Sequence, residues 1–249
     1  MFGNEVFDYA SDRSNRAAGP FNGGSRILVD GKLSFGQLRD GIALGVAAAL
    51  VCAIFAVMLT PQPATAAALL AVSFVITLGY TVPPLKLCWR GLGELDVAVS
   101  HSFMVLLLGY VLQGGAWQAP LPWLLAAPLC IAVLPAIILS GLPDRHADAA
   151  AGKRTLPVRL GARKAAWLAL ALALAAAVAV IVVAHLPATQ KVYRGIVWGV
   201  VPNAAILAFM LLRLLHRHPD PADQRIDSVL VVALVYILWF VVVPFRNLI

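Results

Sequence analysis

Five stretches of this chain carry no charged residue: 41–85, 97–143, 165–190, 195–212 and 228–245. A helix that crosses the hydrocarbon core of a bilayer needs ~20 apolar residues, so the first two stretches are each long enough for two crossings. Pro61-Gln62-Pro63 divides the first, and Gln113-Gly114-Gly115 with Pro120 and Pro122 divides the second. Seven helices are expected, near 41–60, 64–81, 96–113, 121–142, 164–186, 193–215 and 227–245. Only helices or closed barrels satisfy their backbone groups in lipid, and these runs are too long and continuous for barrel strands. The expected fold class is therefore all-α, a polytopic transmembrane helix bundle.

Composition agrees. Hydrophobic residues make up 61% of the chain and charged residues 12%, against about 25% charged in a soluble domain. Such a chain cannot cover a globule with polar surface, which excludes an ordinary soluble fold, a disordered chain and a basic nucleic-acid-binding domain. Cys52, Cys88 and Cys130 are far apart and form no CxxC pair, so they read as small packing residues.

The charges fall on one side. Residues 1–40, 82–95, 143–164 and 213–227 carry 5, 2, 6 and 3 Lys and Arg residues, sixteen in all, while Lys191, Arg194 and Arg246 fall on the other side. That bias places the charged side in the cytoplasm and the protein in the inner (plasma) membrane. The acids gather at the same end, which topology alone does not require.

Those acids are organised. Asn4, Asp8 and Asp12 lie at i, i+4 and i+8, and Asp144 and Asp148 repeat the spacing. On a helix such residues share one face. Like charges so placed repel by ~0.2–0.5 kcal/mol per pair, and a hard divalent cation with oxygen ligands reverses that sign. Mg²⁺ is usually held by one or two carboxylates plus substrate phosphates. The bland alternative is two solvated helix ends. Cations stand close by: Arg13 and Arg16 after the first set, Lys153 and Arg154 after the second, Lys86 and Arg90 on the loop between. Acids for a metal and bases for free oxygens suit a diphosphate, although positive-inside topology accounts for part of the basic set. The segment from Gly19 to Ser25 reads equally as a backbone anion nest or a plain turn.

The pattern resembles a known family. Asn4-Glu5-Val6-Phe7-Asp8-Tyr9-Ala10-Ser11-Asp12 resembles the NxxxDxxxD motif of the UbiA superfamily of intramembrane prenyltransferases, and Asp144-Arg145-His146-Ala147-Asp148 its second DxxxD motif. The stretch Gly152-Lys153-Arg154-Thr155-Leu156-Pro157-Val158-Arg159-Leu160-Gly161 is similar to the segment after that motif in 1,4-dihydroxy-2-naphthoate prenyltransferases of menaquinone synthesis. Tyr80 to Lys86, then Arg90 to Glu94, resembles their middle cytoplasmic loop. Asn4 is followed by Glu5 where the family often has Asp, and Ser140 or Gly141 stands where this branch has Asn.

The resemblance implies a bundle closed toward the cytoplasm by the two motif loops. Asn4, Asp8, Asp12, Asp144 and Asp148 would bind Mg²⁺ bridging an isoprenyl diphosphate. Arg13, Arg16, Lys86, Arg90, Lys153 and Arg154 would neutralise the diphosphate. An aromatic acceptor, dihydroxynaphthoate by the branch resemblance, would take the polyprenyl group inside membrane lipid. Tyr80 reads either as a group beside the leaving diphosphate or as an interfacial anchor. Alternatives are a UbiA-type enzyme for another aromatic or lipid acceptor, or a truncated non-catalytic homologue. A transporter fits less well, because transporter sites lie among ionisable residues within the spans, and here those hold only His101 and His185. The long acidic signature of a CDP-alcohol phosphotransferase is absent. Residues 1–249 form one prenyltransferase domain in this reading. Because UbiA-type folds have nine helices, with the first motif at the end of the second, the chain is expected to lack its first helix and most of its second.

Overall fold

A computed structural model describes residues 2–15, 18–218, 220–221 and 225–248. Two short helices, α1 (Phe2–Phe7) and α2 (Tyr9–Ser14), precede the long ones. These are α3 (Phe35–Leu59), α4 (Pro63–Gly79), a kinked crossing of α5 (Gly93–Val99), a π turn (Ser100–Met104) and α6 (Val105–Leu112), then α7 (Pro120–Ser140). Short helices α8 (Arg145–Ala150) and α9 (Leu156–Leu160) lead to α10 (Ala162–Ala184), α11 (Val197–Arg217) and α12 (Asp227–Leu248). Among the described residues there is no strand. Among the described residues six helical crossings, against the seven expected, are long and apolar enough to span a bilayer, and α4, at 17 residues, is a shorter apolar helix.

The expected boundaries need correcting. The first long helix starts at Phe35 rather than near residue 41, because Ser34 and Gln37 form a capping box that sets the helix start upstream of exposed Arg39 and Asp40. The third crossing starts at Gly93 with Glu94 and Asp96 already helical, and the sixth runs to Arg217. A charge ends a hydropathy window, but a helix tolerates charges in its terminal turns.

Packing centres on α7 and α10. Ala165, Ala169, Ala173, Ala176 and Val180 are fully buried along one face of α10, against Leu129, Ala132, Val133, Ala136 and Leu139 of α7. Small side chains let two helices approach closely where lipid supplies no hydrophobic drive between them. Two buried polar groups find backbone partners across helices: the Tyr236 hydroxyl donates to Ala173 O at 2.8 Å and Asn203 Nδ2 to Val232 O at 3.1 Å. The π turn coincides with a hydroxyl that returns to its own helix, Ser102 Oγ to Ala98 O at 2.6 Å. His101 and His185 each bond through Nδ1 to a carbonyl one turn back, Val97 O and Ile181 O. The cysteines are free.

A Cβ added to Gly199 of α11 would collide with the Trp239 ring of α12. Gly199→Ala is therefore expected to force the indole aside and destabilise the bundle by about 1–3 kcal/mol, read as a lower unfolding temperature in detergent.

Loops gather at two ends. At one, Gln62 Nε2 donates to Gly114 O and Gly115 O, and Asn247 Nδ2 to Val192 O and Arg194 O. At the other, Arg145 pairs with Asp220 at 3.1 Å, and the segments around Asp8, Tyr80 and Asp144 meet. This is the same division of loops that the charge count makes.

Candidate active site

A cavity of 240 Å³ opens at the charge-rich end. Asn4, Asp8, Asp12, Tyr80, Asp144, Asp148 and Lys153 all line it, so residues from three separate segments converge. Asp8 N donates to Asn4 O at 2.7 Å and Asp12 N to Asp8 O at 2.9 Å, so helical bonding carries the first motif across the break between α1 and α2. Asp148 N donates to Asp144 O at 2.9 Å on α8, which puts the second pair on one face. Gly152, with φ +84°, then turns the chain back. Lys153 is left 8% exposed, with Nζ 3.1 Å from Asp8 Oδ1 and 3.2 Å from Asp148 Oδ1. One ammonium thus ties the two motifs together.

The other cations behave differently. Arg13 and Arg154 are exposed and do not line the cavity, and Arg90 turns its guanidinium to Pro84 O at 2.8 Å. Arg16 lies outside the described residues. Lys86 does not line the cavity either, but its Nζ stands 4.7 Å from the centre of the Trp89 ring, and that of Lys153 stands 5.7 Å from it. The two ammonium groups therefore share one indole.

Sequence reading assigned no role to several residues found here. Glu5 lines the cavity, 4% exposed, and accepts from Ser25 N at 2.7 Å and Ser25 Oγ at 2.6 Å. Its signal was present: Glu5, Asp8 and Asp12 stand at i, i+3 and i+7, one helical stripe. Glu94 Oε1 accepts from Leu156 N at 2.7 Å, which fastens the start of α5 to the stretch that carries Lys153. The loop from Gly19 to Ser25 does hold an anion with its backbone, but that anion is a side chain. Asp144 accepts from Gly23 N at 3.0 Å, Asn15 Nδ2 at 2.7 Å and Asn22 Nδ2 at 2.9 Å. Gly24 comes next at φ +69°, so close that a Cβ there would meet Asp12 Oδ2 at 2.6 Å.

Among the described residues six acids line the cavity (Glu5, Asp8, Asp12, Glu94, Asp144 and Asp148) against one ammonium, Lys153. The imbalance shows in their acidities. Burial first, then the charge of Asp8, pushes Asp12 up to about 7, and Lys153 only partly offsets this. Burial raises Asp148 to about 6 against the opposing pull of Lys153. Burial alone would lower Lys153, but Asp8 and Asp148 outweigh it and hold the ammonium above its ordinary value. Burial likewise raises Tyr80, which stays a phenol, and pushes Cys88 up to about 12, which removes it as a nucleophile.

The donor set fits a hard cation. Carboxylate and amide oxygens face a space with surplus negative charge, and a divalent ion would relieve the repulsion that raises Asp12. Among the described residues no three His, Cys, Asp or Glu side chains form a ready cage, so other positions on the ion would fall to water and substrate oxygens.

Fold and site together define a polytopic membrane protein with an acidic cavity at one end of its bundle. The chain belongs to the UbiA prenyltransferase family, whose profile matches residues 1–237. Membership makes it a membrane prenyltransferase for aromatic acceptors. No curated protein and no solved structure matches the chain.

Proposed function

We propose that the protein transfers a polyprenyl group from an isoprenyl diphosphate to an aromatic quinone precursor, with Mg²⁺, and that 1,4-dihydroxy-2-naphthoate is the acceptor. The charged loops then face the cytoplasm from the plasma membrane. The observation that carries the reading is the set of six acids and one lysine around one cavity. The naphthoate acceptor rests on the resemblance in the middle loop and after Asp148.

Asn4, Asp8, Asp12 and Asp148 would hold the metal, with Asp144 contributing from the lone pairs its three donors leave open. Bound there, Mg²⁺ supplies Lewis-acid neutralisation of the diphosphate. Lys153, between the motifs, meets the negative charge that develops as the C–O bond of the allylic diphosphate breaks. Lys86, on the same indole, is the second cation for that charge, with Arg13, Arg90 and Arg154 outside the cavity. Tyr80 keeps its proton and offers a hydroxyl donor. A ring carbon of the acceptor then bonds to the allylic carbon, and the displaced ring proton leaves with the diphosphate.

Space for the tail lies along the same helix. An apolar cavity of 710 Å³ is lined by Leu125 and Leu129 of α7 and Phe240 of α12. At 1.5 Å per residue, Leu129 stands only ~12 Å along α7 from Ile137 in the acidic cavity.

The test is incorporation of labelled geranylgeranyl diphosphate into naphthoate by membranes that contain the protein, with a benzoate acceptor as comparison. Product with the benzoate alone would overturn the assignment of acceptor.

The acids also make stability depend on pH. Asp12 and Asp148 bind protons more tightly folded than unfolded between pH ~4 and ~7, so stability falls as pH rises through that window. Without metal, the unfolding temperature is expected to be at least about 5 °C higher at pH 5 than at pH 8. Added Mg²⁺ should close the gap at pH 8 and do little at pH 5. Equal unfolding temperatures at both pH values would contradict the crowded-acid account.

A further inference from the structure

A second cavity, of 480 Å³, lies at the same end of the bundle between α10 and α11. Its wall has a layered chemistry. Arg163 of α10 and Arg213 and His216 of α11 line its outer part, and Trp167, Phe209 and Leu212 the part toward the hydrocarbon. The layering comes from helical spacing, because Arg163 and Trp167, Phe209 and Arg213, and Leu212 and His216 are each one turn apart.

The cations here differ from several others at this end. Arg26, Arg39, Arg145, Lys153 and Arg225 each pair with a carboxylate, whereas among the described residues no acid lines this cavity. Among the described residues neither Arg163 nor Arg213 has an ion-pair partner, and Arg163 is anchored by donating to Leu215 O at 3.4 Å. Two unpaired guanidinium groups above a pocket of aromatic and aliphatic surface match a phosphodiester above acyl chains. Positive-inside topology places arginines at this end, but it does not require two of them to line one cavity with no carboxylate.

We propose that this cavity is a binding site for one anionic phospholipid, its phosphate held by Arg163 and Arg213 and its acyl chains along Trp167, Phe209 and Leu212. The site is separate from the acidic cavity and stands whether or not the catalytic reading holds.

The test is native mass spectrometry of the full chain in detergent, titrated with phosphatidylglycerol, phosphatidylcholine or inorganic phosphate. Phosphatidylglycerol should be retained at concentrations at least about tenfold lower than phosphatidylcholine. The double variant Arg163→Gln/Arg213→Gln should lose that preference. Arg213→Gln alone, whose side chain makes no hydrogen bond among the described residues, should reduce it and serves if the double variant does not fold. Equal retention of the two lipids, or an undiminished preference in the variants, would overturn the proposal. Retention of inorganic phosphate as tight as that of phosphatidylglycerol would overturn the lipid as occupant.

Discussion

Asp148→Asn is expected to reduce prenyl transfer by roughly 10²–10³-fold, the scale of losing one preorganised electrostatic contact at a reacting centre. Asparagine matches the shape of the residue, so α8 keeps its geometry. It removes an anionic oxygen from the cavity and leaves Lys153 with Asp8 as its single carboxylate partner at this distance. Stability should change little near neutral pH, because burial makes the ionised Asp148 carboxylate unfavourable in the folded state even with Lys153 beside it. The same pattern is expected for Asp8→Asn and Asp12→Asn. Transfer assays beside thermal unfolding check this: full activity in Asp148→Asn would remove the carboxylate from the reaction, and loss of fold would make its role structural.

Lys153→Met should have the largest combined effect. The substitution leaves Asp8 and Asp148 facing each other without the ammonium that joins them. Removing one partner of a buried ion pair costs about 3–5 kcal/mol. The loss should shrink toward pH 5, where Asp148 takes up a proton. In transfer, KM for the diphosphate should rise at least about tenfold while KM for the acceptor holds. An unchanged unfolding temperature at pH 8, or a KM effect confined to the acceptor, would contradict the bridging role.

The bundle was legible because lipid makes demands that hydropathy reports directly. The uncharged windows and their proline breaks located the long helices, whose ends then moved by a few residues where Ser34, Glu94 or Arg217 let the helix run past a charge. The acidic face was legible because i, i+4 spacing is a local property. What could not be read was which cations point inward. Lys153 and Arg154 are neighbours in sequence, yet the turn at Gly152 buries the first and exposes the second. The partners of Asp144 were hidden for another reason. Asn15 and Asn22 lie 129 and 122 residues away from it, a pairing made by the fold with no periodicity to announce it. The glycines of that loop did suggest an anion, though not that the anion would be a carboxylate of the site itself.

The central claim is that the acidic cavity performs metal-dependent transfer from an isoprenyl diphosphate. Its most direct test is a Mg²⁺ titration of transfer from labelled geranylgeranyl diphosphate to dihydroxynaphthoate, using chelator-washed membranes that contain the protein or its Asp148→Asn variant. Transfer that is absent without metal, restored by Mg²⁺ and at least about a hundredfold weaker in the variant is the predicted result. Transfer that proceeds equally with chelator present, or equally in the variant, would contradict it.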